Sequence, residues 1–372
     1  MTDKAHRPRI ALLFGGRSSE HAVSCVTAVG VMGAIDSEKY DVVPIGISKE
    51  GRWVLPGEEA KHWKIEAGKL PEVDSRAQAV TLSPSSTGTE LLTSEPGQIP
   101  QLLGEVDMVF PLLHGPFGED GTIQGLLELA DIRYVGAGVL ASAVGMDKEF
   151  MKIIFASAGL TVHPYQVIRE RDWQHDRAEA LRRVEALGWP VFVKPARAGS
   201  SMGISKVNGP QELEAAIELA RQHDPKVLIE AAVLGREIEC AVLEARDGSL
   251  PRTSFPGEIA TSGEHDFYDF QAKYVEDSGT ELNCPADLPE HITEQIRAAA
   301  ARAFEAIGAE GLSRVDFFYT PDGEIVINEI NTMPGFTPHS MYPQMWAASG
   351  LSYQELVEEL IQLALQRKIG LR

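Results

Sequence analysis

The sequence predicts an α/β protein (α+β mixed) of three domains, with a parallel sheet in the N-terminal domain. A chain of 372 residues is longer than a typical domain with a single hydrophobic core, so more than one domain is expected. Apolar strands alternate with helices in the first third, which is typical of a parallel sheet. Strands dominate after residue 236. We therefore expect domains at 1–145, 146–235 and 236–372.

Composition and charge narrow the class of protein. Lys and Arg number 34 and Asp and Glu number 54, giving a net charge of −20. Such a surface repels a nucleic-acid backbone, so no nucleic-acid partner is expected. The sequence lacks the roughly 18 consecutive apolar residues of a membrane span. Three well-separated cysteines indicate no disulfide framework. The prediction is a cytoplasmic enzyme with no membrane partner.

The elements follow from periodicity and turn residues. Residues 9–14, 41–48 and 106–115 are apolar runs that predict strands, and residues 21–35 predict a helix. The polar stretch 57–104 predicts hairpin and loop. Further helices are expected at 148–159, 177–188, 211–222, 289–307 and 351–367. Further strands are expected at 190–196, 203–208, 226–233, 237–245, 313–320 and 324–331.

The segment "YVGAGVLA", residues 134–141, matches the dinucleotide pattern G-x-G-x-x-A. That pattern also requires an acidic residue about 20 positions later to hold a ribose, and residues 155–159 contain none. We therefore interpret it as a close-packed turn.

The segment "FVKPARAGSSMGISKV", residues 192–207, places Gly199–Gly203 between two strands. Its N–H groups and hydroxyls could bind phosphate, with Lys194 on the entering strand. A plain β-hairpin with Ser and Gly in its turn explains the same residues equally well. The sequence contains no G-x-x-x-x-G-K-[ST] motif, which excludes a Walker-type ATPase.

Two strands near the C-terminus carry acids and an amide. Side chains at i and i+2 of a strand share a face, so Glu329 projects with Asn331, and Arg314 with Asp316. If the strands are neighbours, Asp316, Glu329 and Asn331 form an all-oxygen set suited to Mg²⁺. Solvent-facing strand edges are the alternative, but clustered acids would repel without a cation.

Taken together, seven segments of the sequence resemble the D-alanine–D-alanine ligases of the ATP-grasp superfamily. The segments that carry the resemblance occur in that family's order and cover nearly the whole chain. They are "FGGRSSEHAVS", "LHGPFGEDGTIQG", "MDKEFMK", "VKPARAGSSMGISKV", "DFYDFQAKY", "SRVDFF" and "INEINTMPGFTPHS". The resemblance implies a three-domain ATP-grasp architecture. The region 57–104 has no clear counterpart.

The resemblance also implies where ATP and metal bind. Lysines toward the phosphates are Lys148, Lys194 and Lys273. Residues around adenine and ribose are Glu230, Ala231 to Val233 through their backbone, and Glu237. Many relatives have a Lys or an aromatic where this chain has two alanines, Ala231 and Ala232. Asp316, Glu329 and Asn331 match ligands of Mg²⁺, with two ions expected and Mn²⁺ able to substitute.

Substrate residues are implied in the same way. Glu20 matches the acid that receives the ammonium of the first D-alanine, and Ser200 and Tyr274 link it to a lid loop. His114 resembles a histidine beside that substrate. Arg314, the N–H of Gly335, and Ser340 with Met341 match groups around the oxyanion and the second carboxylate. Without the resemblance, Glu20 would be an ordinary first-turn carboxylate, Tyr274 a surface aromatic and His114 a turn histidine.

The function implied is ATP-dependent ligation of two D-alanines through D-alanyl phosphate, releasing ADP and phosphate for peptidoglycan precursors. A homodimer is compatible with the resemblance. Two alternatives are a D-alanine–D-lactate ligase and a catalytically dead ATP-binding regulator. Tyr274 favours the dipeptide enzyme over the first. The retained Lys194, Arg314 and metal-type residues argue against the second.

Overall fold

The computed structural model of the chain describes residues 7–65, 70–84, 89–95, 98–199, 202–261 and 280–370. These residues form sheets of eight, four and six strands, with helices packed against them. The predicted positions of Ser200, Lys273 and Tyr274 lie outside the described residues.

The eight-stranded sheet is parallel in one half and antiparallel in the other. Its parallel half has the order β2, β1, β7, β8, with bounds β1 Arg9–Gly15, β2 Asp41–Ile47, β7 Met108–Pro111 and β8 Arg133–Tyr134. Its antiparallel half continues from β2 through β3 Trp53–Val54, β4 Ala79–Pro84, β5 Thr89–Ser94 and β6 Gln101–Val106.

The predicted parallel N-terminal sheet is confirmed for β1, β2, β7 and β8, and strands β3 to β6 extend it with antiparallel pairing. The connections between β4, β5 and β6 are short, and parallel neighbours need a crossover of about a dozen residues or more. The polar segment 57–104 contains a 3₁₀ helix at Glu58–His62 and most of this meander. The predicted hairpin is present, and it extends the sheet.

The central strand β1 is buried on both faces. Ile10, Leu12 and Phe14 lie in one hydrophobic core, and Ala11 and Leu13 lie in another. Helices cover the two faces, which explains why β1 is a continuous apolar run. The helices of this region are α1 His21–Ala34, α2 Thr122–Leu129 and α3 Val139–Met146.

The four-stranded sheet is antiparallel, in the order β11, β10, β12, β9. Its strands are β9 Tyr165–Ile168, β10 Val191–Pro195, β11 Ser205–Val207 and β12 Val227–Ala231. The helices of this region are α4 Lys148–Ser157, α5 Glu170–His175, α6 Arg177–Glu185 and α7 Pro210–Arg221. Trp173, Val184 and Ile217 pack on the sheet to form its core.

The six-stranded sheet carries the strand pair that the sequence singled out. Its order is β16, β15, β13, β17, β18, with β14 paired to β13. The bounds are β13 Arg236–Leu243, β14 Arg252–Thr253, β15 Gly257–Thr261, β16 Thr280–Asn283, β17 Leu312–Tyr319 and β18 Ile325–Asn331. The remaining helices are α8 Glu290–Ala306, α9 Met341–Ala348 and α10 Tyr353–Gln366.

One hydrophobic core joins the first sheet to the last. Leu360 of α10 shares it with Leu12 of β1 and Leu312 of β17. The C-terminal helix therefore packs between elements that are far apart in the sequence. The predicted domain boundaries near 145 and 235 stay a prediction.

Residues 134–141 form a close-packed turn, as predicted. A Cβ on Gly311 would lie 2.9 Å from the Cα of Gly136, whose φ is +95°. Arg367 donates to the carbonyls of Tyr134 and Gly136 at 2.8 and 2.7 Å. Arg367 and Gly311 therefore pack against this turn.

The three cysteines Cys25, Cys240 and Cys284 are free thiols. Across the described ranges, no helix combines the length and apolarity needed to cross a membrane.

Candidate active site

A polar cavity of about 230 Å³ lies where all three regions of the chain meet. The loop after β1, the loop after β7, residues 198–199 and the end of β18 all contribute to its wall. It brings together many residues that the sequence predicted, namely Glu20, His114, Lys148, Arg314, Glu329, Asn331, Gly335, Ser340 and Met341.

Strands β17 and β18 are neighbours, in the register the metal prediction required. Arg314 lies opposite Asn331 and Asp316 opposite Glu329, with a bulge after Asp316. The guanidinium of Arg314 donates two bonds of 2.7 Å to Asp316 and lies 3.1 Å from Glu239. Burial opposes the charge, but Asp316 and Glu239 outweigh it and raise the pKa of Arg314. Arg314 is a fixed cation at the cavity wall.

The oxygen-rich set on these strands fits a hard cation. Asn331 Nδ2 donates to Asp316 Oδ2 at 3.0 Å, so the amide and the carboxylate already adjoin. Carboxylate and amide oxygens are the ligands that Mg²⁺ prefers. In the part of the chain that the structure describes, no group of three His, Cys, Asp or Glu could hold a metal. The predicted set contains two carboxylates and one amide, so it differs in composition from such a group. Its role in binding Mg²⁺ stays a prediction.

Lys148 is the first residue of α4 and lines the cavity. Its Nζ donates to the carbonyl of Ala198 at 2.9 Å and lies 3.6 Å from Glu329 Oε2. Asp147 caps the helix by accepting from the N–H groups of Glu149 and Phe150. The lysine is thus held between the glycine-rich loop and the acids of β18.

Lys194 is anchored by a buried carboxylate. Glu230 Oε2 lies 2.5 Å from Lys194 Nζ, and Glu230 Oε1 lies 2.5 Å from Lys152 Nζ. Burial alone would raise the pKa of Glu230, but the two lysines outweigh it and lower that pKa. The sequence reasoning missed Lys152. Its position four residues after Lys148, on the same helix face, was the available signal.

The structure modifies the predicted adenine segment. The carboxylate of Glu230 is engaged by lysines, and the N–H of Ala231 donates to Pro164 at 3.1 Å. His163 contacts the Ala231 carbonyl at 3.0 Å. A carbonyl has a second lone pair, so this one can accept another bond. The roles of Glu230, Ala231, Val233 and Glu237 toward adenine and ribose stay predictions.

Glu20 precedes α1 and lies against two glycines. A Cβ on Gly115 would be 2.6 Å from Glu20 Oε2, and a Cβ on Gly199 would be 3.0 Å from it. The absence of side chains there lets two loops close on the carboxylate. Gly199 directly precedes Ser200, so Glu20 borders the loop to which the sequence linked it.

His114 is buried, and its hydrogen bonds define its tautomer. Nδ1 lies 3.0 Å from the Met333 carbonyl, which only accepts, so we assign the proton to Nδ1. Nε2 lies 3.3 Å from the Thr27 hydroxyl. Burial lowers the pKa of His114, in spite of the nearby charge of Glu20. A neutral imidazole therefore lines the cavity.

Glu119 is a second residue that the sequence reasoning missed, although it lies in the quoted segment "LHGPFGEDG". It lines the cavity and accepts the N–H groups of Gly115 at 2.6 Å and Met333 at 3.1 Å. A carboxylate between glycines in a loop was the only signal for it.

Ser340 directly precedes α9 and closes the turn that follows β18. Its hydroxyl accepts the N–H of Thr337 at 3.1 Å and lies 2.8 Å from the Thr337 hydroxyl. Tyr353 donates to the Phe336 carbonyl at 2.8 Å. The turn containing Gly335 is therefore supported from both ends.

The arrangement of sheets and the cavity between them define the class: this is the ATP-grasp fold. Residues 9–137 match the family model described as the N-terminus of D-ala D-ala ligase, and residues 154–362 match the one described as its C-terminus. The chain belongs to the D-alanine–D-alanine ligase family.

Individual relatives agree with this. The chain is 66% identical to a D-alanine–D-alanine ligase of an Arthrobacter species, covering 98% of this chain and 96% of the relative. It is 56% identical to the Streptomyces coelicolor ligase, covering 98% and 95%.

Two solved structures are also similar. The VanG D-Ala:D-Ser ligase from Enterococcus faecalis has a TM-score of 0.82 and 39% identity, covering 96% of this chain and 100% of its own. The D-alanine–D-alanine ligase from Coxiella burnetii has a TM-score of 0.79 and 34% identity, covering 98% and 95%.

Proposed function

We propose that the chain ligates two D-alanines to D-alanyl-D-alanine with ATP, releasing ADP and phosphate, for peptidoglycan precursor synthesis. The observation that carries this is the 66% identity, over 98% of the chain, to a D-alanine–D-alanine ligase. Because ATP is an intracellular substrate, we place the reaction in the cytoplasm.

The phosphates of ATP lie among cations in this proposal. Lys148 and Lys194 reach them from α4 and β10, and Lys273 is assigned to the γ-phosphate. Asp316, Glu329 and Asn331 hold Mg²⁺, two ions in all, and Mn²⁺ can substitute. The bound metal neutralises charge on the β- and γ-phosphates. The oxygen-rich set on β17 and β18 supports this assignment.

Two bond-forming steps follow. The carboxylate of the first D-alanine attacks the γ-phosphorus, giving D-alanyl phosphate and ADP. The amine of the second D-alanine attacks the acyl carbon, and phosphate leaves. Arg314 and the N–H of Gly335 stabilise the tetrahedral oxyanion. Excluding water protects the acyl phosphate from hydrolysis.

The substrates are oriented by groups on the cavity wall. Glu20 receives the ammonium of the first D-alanine, and neutral His114 lies beside it. Ser200 and Tyr274 link Glu20 to a lid. Ser340 and Met341, at the start of α9, bind the carboxylate of the second D-alanine. The close approach of Gly199 to Glu20 supports the link to the glycine-rich loop.

The test is product formation with defined acceptors. Purified chain with Mg²⁺, ATP and D-alanine alone should release ADP and form D-alanyl-D-alanine. Adding D-lactate or D-serine should yield at most a minor mixed product. Predominant ester would favour the D-lactate alternative, and predominant D-alanyl-D-serine would make the chain resemble VanG by its acceptor. Absence of D-alanine-dependent ADP release would refute ligase activity.

We also propose a homodimer built on an exposed apolar surface. Leu129 is 86% exposed and Leu140 is 72% exposed, and Leu126 and Val139 on the same two helices, α2 and α3, are also exposed. Helices α2 and α3 are in contact, and exposed apolar patches mark protein interfaces. Sedimentation velocity should give twice the 40.5 kDa chain mass, and Leu129→Glu with Leu140→Glu should give the monomer. A wild-type monomer would contradict this.

The domain boundaries near 145 and 235 are part of the proposal. Strands β1 to β8 end at Tyr134, β9 to β12 end at Ala231, and β13 begins at Arg236. Each sheet thus falls within one predicted domain, which supports the division.

A further inference from the structure

The loop between β7 and α2 holds one residue of the turn after β18 by both of its backbone polar groups. Glu119 Oε1 accepts the Met333 N–H at 3.1 Å. His114 Nδ1 donates to the Met333 carbonyl at 3.0 Å. The two partners lie more than two hundred residues from Met333 in the sequence, so the contact joins the first and last regions of the chain.

The carboxyl group of Glu119 also spans the loop itself. Its Oε2 accepts the N–H of Gly115 at 2.6 Å, so one side chain ties Gly115 to Met333. Met333 is 7% exposed, which leaves little access for water to replace a lost bond. A buried N–H left without an acceptor is strongly unfavourable. The turn is therefore strongly biased toward the position that Glu119 defines.

Fixing Met333 also fixes the direction in which the chain reaches Gly335. Pro334 is the only residue between them, and its ring restricts φ and removes a donor. Little rotational freedom remains before the N–H of Gly335, which lines the cavity. Displacing a catalytic group by about 1 Å can cost on the order of 100-fold in rate.

We propose that Glu119 is a positioning residue that sets the Gly335 N–H for the acyl-transfer step. This role rests on the proposed function. His114 holds the same peptide through the Met333 carbonyl, and it also lines the cavity. Glu119 acts on the reaction through the Met333 peptide, and the proposal requires no contact between its carboxyl group and substrate.

The neighbouring Asp120 provides a matched control. It accepts the N–H groups of Phe117 at 2.8 Å, within its own loop, and Thr122 at 2.9 Å, at the start of α2. Asp120→Asn therefore perturbs loop bonds and loop charge without touching Met333. Glu119→Gln keeps side-chain volume and one acceptor oxygen, and Glu119→Ala removes both acceptors.

The experiment measures exchange and kinetics on the full chain. Hydrogen–deuterium exchange of a peptide covering residues 331–337 should accelerate in Glu119→Gln and more in Glu119→Ala, and stay unchanged in Asp120→Asn. Turnover should fall about 10- to 100-fold in the Glu119 variants, with KM for ATP within about twofold of wild type. Asp120→Asn should keep turnover within about threefold.

Three outcomes would overturn the proposal: unchanged exchange at 331–337 in Glu119→Gln, wild-type turnover despite faster exchange, or equal losses in Asp120→Asn. Failure of the proposed function is distinguishable, because it appears as wild-type chain without D-alanine-dependent ADP release. The exchange measurement needs no activity and still decides whether Glu119 holds the turn.

Discussion

Lys152 of α4, Glu230 of β12 and Lys194 of β10 form a buried network of ion pairs. The side chains of Lys152 and Glu230 are 2% and 8% exposed. A carboxylate at that depth is tolerated only when cations surround it. Glu230, neutralised in part by Lys152, therefore orders Lys194, which the proposed function assigns to ATP.

Replacing Lys152 tests this arrangement through stability. Lys152→Met leaves Glu230 with one cation, so the free energy of unfolding should fall, near the lower end of about 3–5 kcal/mol. Lys49→Met is the control, because its 2.7 Å pair with Glu72 is exposed and should contribute less than about 1 kcal/mol. Denaturant unfolding measures both. Equal losses in the two variants would refute the distinction.

The protonation of Glu119 gives a pH prediction. Burial and the charge of Glu20 raise the pKa of Glu119 from 4.5 to about 8, while two N–H bonds and Arg314 oppose the rise. The folded chain keeps a proton there that the unfolded chain releases above about pH 4.5. The contribution of Glu119 to stability is therefore present at low pH and lost as pH rises toward about 8.

Glu119→Gln removes this proton from the balance. Between pH 5 and pH 8, the free energy of unfolding of wild type should therefore fall relative to that of Glu119→Gln. Glu20 and Arg314 act on the same carboxyl group, so both proteins are measured at each pH. Parallel stability curves would show that the pKa of Glu119 is not raised.

At the scale of elements, the β17–β18 pair explains most of the predicted metal site. The i, i+2 rule placed Asp316, Glu329 and Asn331 correctly on facing strands, because side-chain alternation is a property of the backbone. The bulge after Asp316 and the pairing of Arg314 with Glu239 depend on tertiary contacts, and the sequence pattern could not predict them.

The strand pair makes a prediction about metal. The proposed function assigns Asp316 and Glu329 to Mg²⁺, so Asp316→Asn or Glu329→Gln should lower turnover about 100-fold or more, because transition-state charge on the phosphates would lose its partner. Glu324→Gln is the control, since Glu324 is exposed just before β18. Turnover measured against Mg²⁺ concentration gives the result. Near-wild-type turnover at limiting Mg²⁺ in either variant would sink the assignment.

The N-terminal sheet shows which strands the sequence predicted individually and which it predicted only as hairpin and loop. Apolar runs identified β1, β2 and β7 because those strands are buried on both faces. Strands β4 and β5 contain several Ser and Thr residues, and half of β6 is exposed, so the composition of this segment resembles that of loops. The short connections between these strands set their antiparallel pairing. Hydrophobic periodicity alone does not predict which strands pair.

For the whole molecule, the central feature is that residues distant in the sequence share one core and one cavity. Leu360, Leu12 and Leu312 lie in the same core cluster, and Glu20, Lys148 and Arg314 line the same cavity. Motifs and the family resemblance identified the cavity residues. Lys152 and Glu119 were missed because their partners, Glu230 and Met333, are close only after folding.

The shared core predicts cooperative unfolding. Leu360 is fully buried, so Leu360→Ala should cost about 2–5 kcal/mol and shift the unfolding of the first and last sheets together. Leu250→Ala, at a 73% exposed position, should change stability by less than about 0.5 kcal/mol. Exchange protection in β1 and β17 reports each sheet. Loss of protection in β17 alone would contradict a shared core.

The central claim, that a carboxylate is activated by γ-phosphoryl transfer, is tested most directly by following oxygen. Lys148, Lys194 and the acids of β17 and β18 surround the position proposed for the β- and γ-phosphates, which favours an acyl phosphate over an adenylate. D-alanine carrying ¹⁸O in its carboxylate should transfer one labelled oxygen to inorganic phosphate for each dipeptide formed. Label appearing in AMP, with release of pyrophosphate, would contradict the proposed reaction.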